Sequence, residues 1–362
     1  MEEREALILL NCVTGLGPAR IKTLATHIQP LASLFGMSAA DLVALGLSEG
    51  TARSLLEAPR KNDLERELET AEKEGIRILH FLDEAYPKSL KEIHDPPVVL
   101  YVKGELPPGE TLMLAIIGSR RASSYGLEMA EKFSRELVGY GFTVVSGFAR
   151  GIDTAAHRGA LSGKGKTIAV LGSGLLEIYP PENRGFAKEI FQSGALVSEF
   201  PLRYPALPQN FPQRNRVISG LSLGVLVVEA DEKSGALITA NFAVEQGREV
   251  FALPGRVDSA LSKGTHRLIQ QGAKLVQEVK DILEELKIPI ASGVAGEFST
   301  KIPPSLSGEE GVVYETLSDS PKSIDTIMEE SHLSAPSALA TLVQLEVKKL
   351  IRAYPGKRYA RQ

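Results

Sequence analysis

The sequence has a single cysteine, Cys12, and no tryptophan in 362 residues. A lone cysteine excludes an intramolecular disulfide and a cysteine-ligated zinc site. The histidines, His27, His80, His94, His157, His266 and His332, fall at no metal-ligand spacing such as HExxH. Long hydrophobic runs are also missing. Stretches such as Leu112–Ile117 and Val225–Val228 fall far short of the ~20 apolar residues of a membrane helix. The chain opens Met1-Glu2-Glu3-Arg4-Glu5, without the basic start of a secretory signal. These absences point to a cytoplasmic protein with no metal and no membrane contact. Bulk positive charge is lacking too, since the formal net charge is -4. That argues against coating nucleic acid through charge alone and leaves room for a local basic groove. With aromatics at 6%, any stacking surface must use few side chains.

What is present divides into three textures. At about 150 residues per domain the length predicts roughly two to three domains. Hydrophobic content of 43% against 24% charged residues is an ordinary globular balance. Residues 1–75 read as short helices broken by glycines, with apolar residues at Leu7, Leu10, Ile21, Leu24, Leu42, Leu45 and Leu55. Residues 76–288 alternate apolar strands with helical patterns, which predicts a parallel sheet covered by helices. The expected strands are Leu112–Ile117, Thr143–Ser146, Thr167–Leu171, Ala195–Ser198, Val225–Glu229, Val250–Ala252 and Lys274–Val276. Helices are expected at about 125–140, 151–161, 183–193, 236–246, 265–271 and 278–286. Strands apolar on both faces belong inside a doubly wound sheet. Residues 289–307, rich in Pro, Ser, Gly and Ala, read as a linker. Residues 308–362 then give three helical patterns, Glu309–Leu317, Ser323–Glu330 and Ser334–Leu350, and two short strands around Pro355-Gly356. Three helices and a hairpin are the plan of a winged helix.

The first chemical signal is Val13-Thr14-Gly15-Leu16-Gly17-Pro18 leading into Arg20 and Ile21, with a degenerate echo at Ala44-Leu45-Gly46-Leu47-Ser48. Glycines one residue apart before a proline-started helix can aim helix amides at a phosphate. The pattern resembles a helix-hairpin-helix, within a helical domain of SAM-like type. Only Arg20 and Lys22 supply nearby positive charge, so a packing turn without DNA contact is the competing reading.

In a doubly wound sheet, ligands sit beyond the carboxyl ends of the strands. The first such end reads Gly118-Ser119-Arg120-Arg121-Ala122-Ser123-Ser124 and the next Ser146-Gly147-Phe148-Ala149-Arg150-Gly151-Ile152-Asp153. Glycines, hydroxyls and arginines at a helix start make an anion-binding composition. Two other runs are near-misses. Gly165-Lys166-Thr167 is no P-loop, because Ala160 stands where the first glycine belongs and Thr167 opens a strand. Gly172-Ser173-Gly174 lacks the third glycine of a dinucleotide fingerprint, with Glu177 in its place. Ser146, Asp153 and His157 form a trio to test as a hydrolase, although their spacing equally gives a helix-start carboxylate and an ordinary histidine.

The most informative stretch runs from Pro208 to Gly220, Pro-Gln-Asn-Phe-Pro-Gln-Arg-Asn-Arg-Val-Ile-Ser-Gly. It reads as an extended proline-rich loop running into a helix. Arg214 and Arg216 flank Asn215, with Phe211 upstream and no acidic residue nearby. Phosphate donors, a base-edge reader and a stacking face are thus supplied in one segment. The structural alternative pairs Arg214 with Glu199 or Glu229. Ser234-Gly235-Ala236-Leu237-Ile238-Thr239 starts a helix at a further strand end, and Pro254-Gly255-Arg256 follows the last long strand.

Taken in order, these segments closely resemble the DNA-processing protein DprA family, also called Smf. The matching runs are Ile117-Gly118-Ser119-Arg120 with Tyr125-Gly126, Ser146 to Asp153, Ala169 to Gly174, and Tyr179-Pro180 with Asn183. They continue through Ser198-Glu199, Phe211 to Arg216, Ser234-Gly235 with Thr239-Ala240, and Gly247-Arg248-Glu249-Val250 leading to Pro254-Gly255. The resemblance spans about residues 110–275. It implies an extended Rossmann fold in a cytoplasmic, non-enzymatic protein without cofactors. Such a protein would bind and protect incoming single-stranded DNA, dimerise through the C-terminal part of that fold, and load the RecA recombinase during natural transformation and recombination. By motif match, Arg120, Lys166, Phe211, Arg214, Asn215 and Arg216 are expected to line the DNA pocket. The segments around Gly118, Ser119, Ser146, Gly147, Phe148, Ser234, Gly235 and Thr239 are expected to cradle phosphates. Two positions depart from the family pattern: Leu176 stands where an aspartate is usual, and Phe148 replaces a commonly small residue.

Two rivals remain at this stage. A nucleotide phosphoribohydrolase of a related sheet family would need a Pro-Gly-Gly-x-Gly-Thr run, where this chain has Glu229-Ala230-Asp231-Glu232-Lys233-Ser234-Gly235. The C-terminal domain could also act alone on duplex DNA, since Lys348, Lys349, Arg352, Lys357, Arg358 and Arg361 crowd the end of the chain. A partner-binding or merely solvated basic face fits those residues equally well.

Overall fold

The computed structural model describes the chain except for Thr14, 59–62, 109–110, 289–305, 307, 319–320, Lys349, Pro355 and Gln362. Apart from Leu306, the expected linker lies outside the described residues. Two compact units divide the chain, Met1–Val294 and Ala295–Gln362.

The first unit is built on a nine-stranded sheet. Its strands are β1 (Ile76–His80), β2 (Val99–Gly104), β3 (Met113–Ile117), β4 (Thr143–Ser146), β5 (Thr167–Val170), β6 (Ala195–Ser198), β7 (Gly224–Val227), β8 (Glu249–Ala252) and β9 (Lys274–Leu275). They lie in the order β1-β2-β6-β5-β4-β3-β7-β8-β9. From β6 to β9 every neighbour pair is parallel, while β1 and β2 extend the sheet antiparallel. The seven expected strands are all present, and β3 to β7 are buried along their whole length. Helices on both faces shield them from water, so no alternation with polar residues is needed. The chain moves outward from β3 through β4, β5 and β6, then crosses back to place β7 on the other side of β3. That reversal opens a crevice beyond the carboxyl ends of β3 and β7.

The amino-terminal helices belong to the same unit. Ala6 to Leu10 on the helix Glu3–Asn11 are buried in one apolar core with Val99, Tyr101, Leu171 and Leu196 of the sheet region. Polar ties reinforce this contact: Arg4 donates to the Ile78 carbonyl (3.1 Å), and Asn11 Nδ2 to the Glu199 carbonyl (3.0 Å). In the glycine turn, Pro18 starts the helix Pro18–His27 as expected. Arg20, however, donates to the Leu45 carbonyl in the echo turn. The first turn's arginine therefore links the two glycine turns to each other.

In the second unit, helices Glu309–Thr316, Ile324–Ser331 and Ala335–Val347 pack around Val313, Leu317, Ile327, Leu342, Leu345 and Ile351. Strands β10 (Lys322–Ser323), β11 (Ile351–Tyr354) and β12 (Arg358–Arg361) form a small sheet in the order β10-β12-β11. This is a winged helix. Part of its terminal basic cluster is engaged internally. Lys348 Nζ pairs with Glu310 at 2.7 Å, and Arg361 donates to the Tyr314 carbonyl at 3.0 Å.

Candidate nucleic-acid interface

The crevice at the β3/β7 reversal has a volume of about 810 Å³. Gly118, Ser119 and Arg120, just after β3, form one wall, and Phe211, Arg214 and Asn215 another. Ser234, Gly235 and Thr239, at the start of the helix Gly235–Glu245, complete it. The sequence brings these residues together because each follows the carboxyl end of a parallel strand or faces one. The positive end of the helix Gly235–Glu245, capped by Ser234 Oγ on the Ala236 amide (3.3 Å), lies on this crevice.

Phe211, Arg214 and Asn215 stand on a helix, Asn210–Leu221, which corrects the extended loop expected here. Pro212 is tolerated because it falls in the first turn, where its missing N–H has no intrahelical partner to lose. Phe211, Arg214, Asn215 and Ile218 all line the crevice, at the i, i+3, i+4, i+7 spacing of one helix face. Asn210 anchors the helix start by donating to the Gly172 (3.0 Å) and Pro205 (3.1 Å) carbonyls.

Around Phe211 the geometry suits a planar, anionic ligand. The Arg120 guanidinium carbon lies 5.2 Å from the ring centroid and that of Arg214 6.0 Å away. Tyr179 packs at 5.7 Å between centroids and is 40% exposed. The ring rests on Gly172, where an added Cβ would come within 2.8 Å of it. The Gly172-Ser173-Gly174 turn thus seats an aromatic side chain. Gly147 joins Arg120, Tyr179 and Phe211 in lining a smaller adjoining notch.

Beneath this surface lies a buried charged pair of elements. Arg214 Nη1 donates to the Gly147 carbonyl (2.6 Å) and to that of Val170, so the side chain is fixed to the ends of two strands. Burial pushes its pKa down to about 10, with Asp153 opposing and Arg120 adding to the shift. The Asp153 carboxyl accepts from the Ala149 amide (3.2 Å). Burial pushes it up to about 6, against the pull of Arg214, that amide and Arg120. A Cβ at Gly147 would sit 2.7 Å from Asp153 Oδ2 and 2.8 Å from Arg214 Nη2, so only glycine admits this packing.

Ser146, Phe148, Lys166 and Arg216 are not brought to the crevice. Ser146 is buried and donates Oγ to the Ile116 carbonyl at 2.6 Å. Phe148 is fully buried with φ 60°, its ring 6.0 Å from that of His157, so it neither narrows the crevice nor offers a stacking face. Lys166 is exposed at the amino end of β5, about 13 Å of strand away from the carboxyl ends where the crevice opens. Arg216 points to the opposite side of its helix, about 200° round from Arg214. There it meets Glu199 at 2.5 Å and the Asp95 carbonyl at 2.6 Å. Glu199 therefore pairs with Arg216, where the sequence suggested Arg214.

The expected phosphate cradle after β3 is also changed. The Glu229 carboxylate accepts from the Ser123 amide (2.9 Å) and hydroxyl (2.5 Å), so an internal anion occupies the start of the helix Ser124–Gly139. The Ser119 amide donates to the Glu229 carbonyl at 2.8 Å. On that wall the Arg120 and Arg121 side chains line the crevice as its cationic groups. Nor do Ser146, Asp153 and His157 assemble as a hydrolytic trio: His157 Nδ1 bonds Thr167 Oγ1 (2.7 Å), and burial drives its pKa down to about 3. Leu176 packs against the apolar core, an environment unsuited to an aspartate. In the sequence, Arg121 and Arg150 read only as part of anion-binding turns and Tyr179 only as part of a matching run. None is among the expected pocket residues, yet Tyr179 and Arg121 line the crevice and Arg121 and Arg150 a neighbouring cleft. Their signals were an aromatic beyond β5 and arginines directly after β3 and β4.

Residues 77–287 match the family model described as DNA recombination-mediator protein A, and residues 299–357 match the DprA winged helix domain. The chain belongs to the DprA/Smf family. Within that family, Protein Smf of Escherichia coli is 40% identical over 324 residues, covering 88% of this chain and 86% of that protein. The crystal structure of DprA from Streptococcus pneumoniae is matched at 36% identity and a TM-score of 0.69, over 79% of this chain and 99% of that one. DprA from Helicobacter pylori, whose structure is described by its single-stranded DNA binding mode, is matched at 33% identity and a TM-score of 0.53. That match covers 59% of this chain and 95% of that one. Among the described residues, no helix is long and apolar enough to cross a membrane.

Proposed function

We propose that this protein binds single-stranded DNA in the crevice and, in the cytoplasm, delivers it to the RecA recombinase for recombination, natural transformation included. The observation that carries the reading is the Arg120–Phe211–Tyr179 arrangement on the rim of a roomy crevice. A base stacks on an aromatic face whatever its identity, and a guanidinium beside it neutralises the adjoining phosphate. Binding of this kind is tolerant of sequence and sensitive to salt. The single-stranded DNA binding mode described for the Helicobacter pylori relative supports the same assignment. In this division of labour the sheet domain, 76–288, holds the strand, with the helical domain 1–75 before it and, after the linker 289–307, the winged helix 308–362. A homodimer through the C-terminal part of the sheet domain is supported by the exposed apolar side chains Val244, Val257 and Leu275 there.

Fluorescence anisotropy with a labelled oligo-dT tests the reading. Arg120→Ala should weaken binding by roughly 1–3 kcal/mol, the scale of one lost stacking and charge contact. It should also flatten the plot of log affinity against log salt by ~0.7 per lost phosphate contact. Unchanged affinity in the variant would remove DNA from the crevice. Release of free base from a nucleoside monophosphate would instead favour the phosphoribohydrolase. The Glu229-to-Gly235 segment argues against that enzyme, because the Glu229 carboxylate is committed to Ser123.

A further inference from the structure

Beside the crevice lies a second cleft of about 360 Å³, between the starts of the helices Ser124–Gly139 and Ile152–Ser162. Four arginines line it, Arg120, Arg121, Arg150 and Arg158, with Glu131 as the carboxylate in its wall. Arg150 is offset by Glu182, so the cleft keeps a local cationic surplus on a chain whose net charge is -4. Crowding like charges around a concave surface raises the local potential, and an anion relieves it.

The cleft is built on a fixed floor. Gly151, at φ +74°, lets its loop press against the turn after β3, and a Cβ there would come within 2.3 Å of the Ser119 carbonyl oxygen. Thr154 Oγ1 donates to the Ala149 carbonyl (2.7 Å). Asn183 Nδ2 donates to the Phe148 carbonyl (3.2 Å) and to Thr154 Oγ1 (3.0 Å). Both side chains are more than nine-tenths buried. Arg158 is steadied from behind by the Phe186 ring, 5.8 Å from its guanidinium carbon. Its cationic group is thus held ready at little entropic cost.

Arg120 and Arg121 border both spaces, which places the cleft directly beside the crevice. We infer that the arginine cleft is a second subsite for the same strand, taking the phosphates that follow the nucleotide stacked on Phe211. This rests on the proposed single-strand binding and adds a path to it: the strand leaves the crevice over Arg120 and runs toward Arg158.

Arg158 tests this, since it lines the cleft and does not line the crevice. Labelled oligo-dT of about 4 and about 16 nucleotides, spanning the usual site sizes, would be titrated against wild type, Arg158→Ala and Arg158→Glu. The short oligonucleotide should bind all three proteins alike. The long one should bind Arg158→Glu at least about tenfold more weakly, and Arg158→Ala should lower its salt slope by ~0.7. Competition by inorganic phosphate separates a strand phosphate from a free anion, because a strand subsite shows the length dependence and an anion pocket does not. Equal binding of the long oligonucleotide by all three proteins, or equal losses at both lengths, would overturn the inference while leaving the crevice intact. If wild type bound neither length, the single-strand reading itself would be lost. Because Arg158 is exposed, the variants should melt with the wild type, which a thermal scan verifies.

Discussion

Arg216→Ala is expected to lower the unfolding free energy by about 3–5 kcal/mol, the usual cost of removing one partner from a buried ion pair. The guanidinium and the Glu199 carboxyl are 5% and 3% exposed, and they meet at 2.5 Å. Asp95 approaches from a third segment, its carboxylate 3.4 Å from Arg216 Nε and its carbonyl 2.6 Å from Nη1. Burial already pushes the Glu199 carboxyl up, with Arg216 as the main opposing charge. Without the arginine, Glu199 must either stay charged and unpaired or take up a proton, and both outcomes cost stability. Urea denaturation measures the loss directly. A variant within about 0.5 kcal/mol of wild type, the range of ordinary surface substitutions, would show that the pair is dispensable. Any fraction that remains folded should still bind oligo-dT, because Arg216 lines no part of the crevice.

That expectation reverses the one drawn from sequence, where Arg214 and Arg216 look interchangeable on either side of Asn215. Two arginines a residue apart share one side only in an extended chain. Once Asn210–Leu221 is helical, they part to opposite faces. Arg214 turns to the crevice floor and Arg216 to the Glu199 pair. Local composition names the residue types of a binding segment, while the period of the backbone decides which of them meet the ligand. The two prolines in Pro208–Pro212 obscure that period, because a first-turn proline and a loop proline read alike.

The sheet is far more legible than its edge or its charges. Strands such as Met113–Ile117 are apolar without interruption, and only burial on both faces allows that. β1 carries Arg77 and His80 among its apolar residues and pairs antiparallel at the sheet's end, so its pattern competes with that of a loop. The switch-point crevice follows from strand order, which no single segment contains. Glu229 shows a further limit. A turn rich in glycine, serine and arginine before a helix predicts an external anion, yet the carboxylate that fills it comes from β7's far end of the chain, 106 residues away. Lys166 fails for a different reason: it precedes Thr167, the first residue of β5, and so stands at the amino end of a strand whose carboxyl end faces the crevice.

Lowering the pH from 7 toward 4 should favour wild type over Asp153→Asn by about 3 kcal/mol, from a shift of roughly two pKa units at 1.36 kcal/mol each. The folded carboxyl titrates at about 6, raised from 3.8 chiefly by burial. Because the folded value is raised, this group's favourable contribution is complete below the unfolded pKa and is lost as pH rises through the folded one. Above pH 6 the protein therefore carries an ionised, buried Asp153, supported by Arg214, the Ala149 amide and Arg120. Asparagine has no such charge, so its stability should lack this step. Urea denaturation of both proteins across that interval decides the matter, and a constant difference between them would rule out titration of Asp153. The same carboxylate lines the crevice, and a phosphate drawn to Arg120 would take away part of its cationic support. Strand binding should then draw a proton onto Asp153, so wild-type affinity should rise as pH falls from 8 to 6. In Asp153→Asn that rise should disappear, because the proton acceptor beneath the crevice is gone.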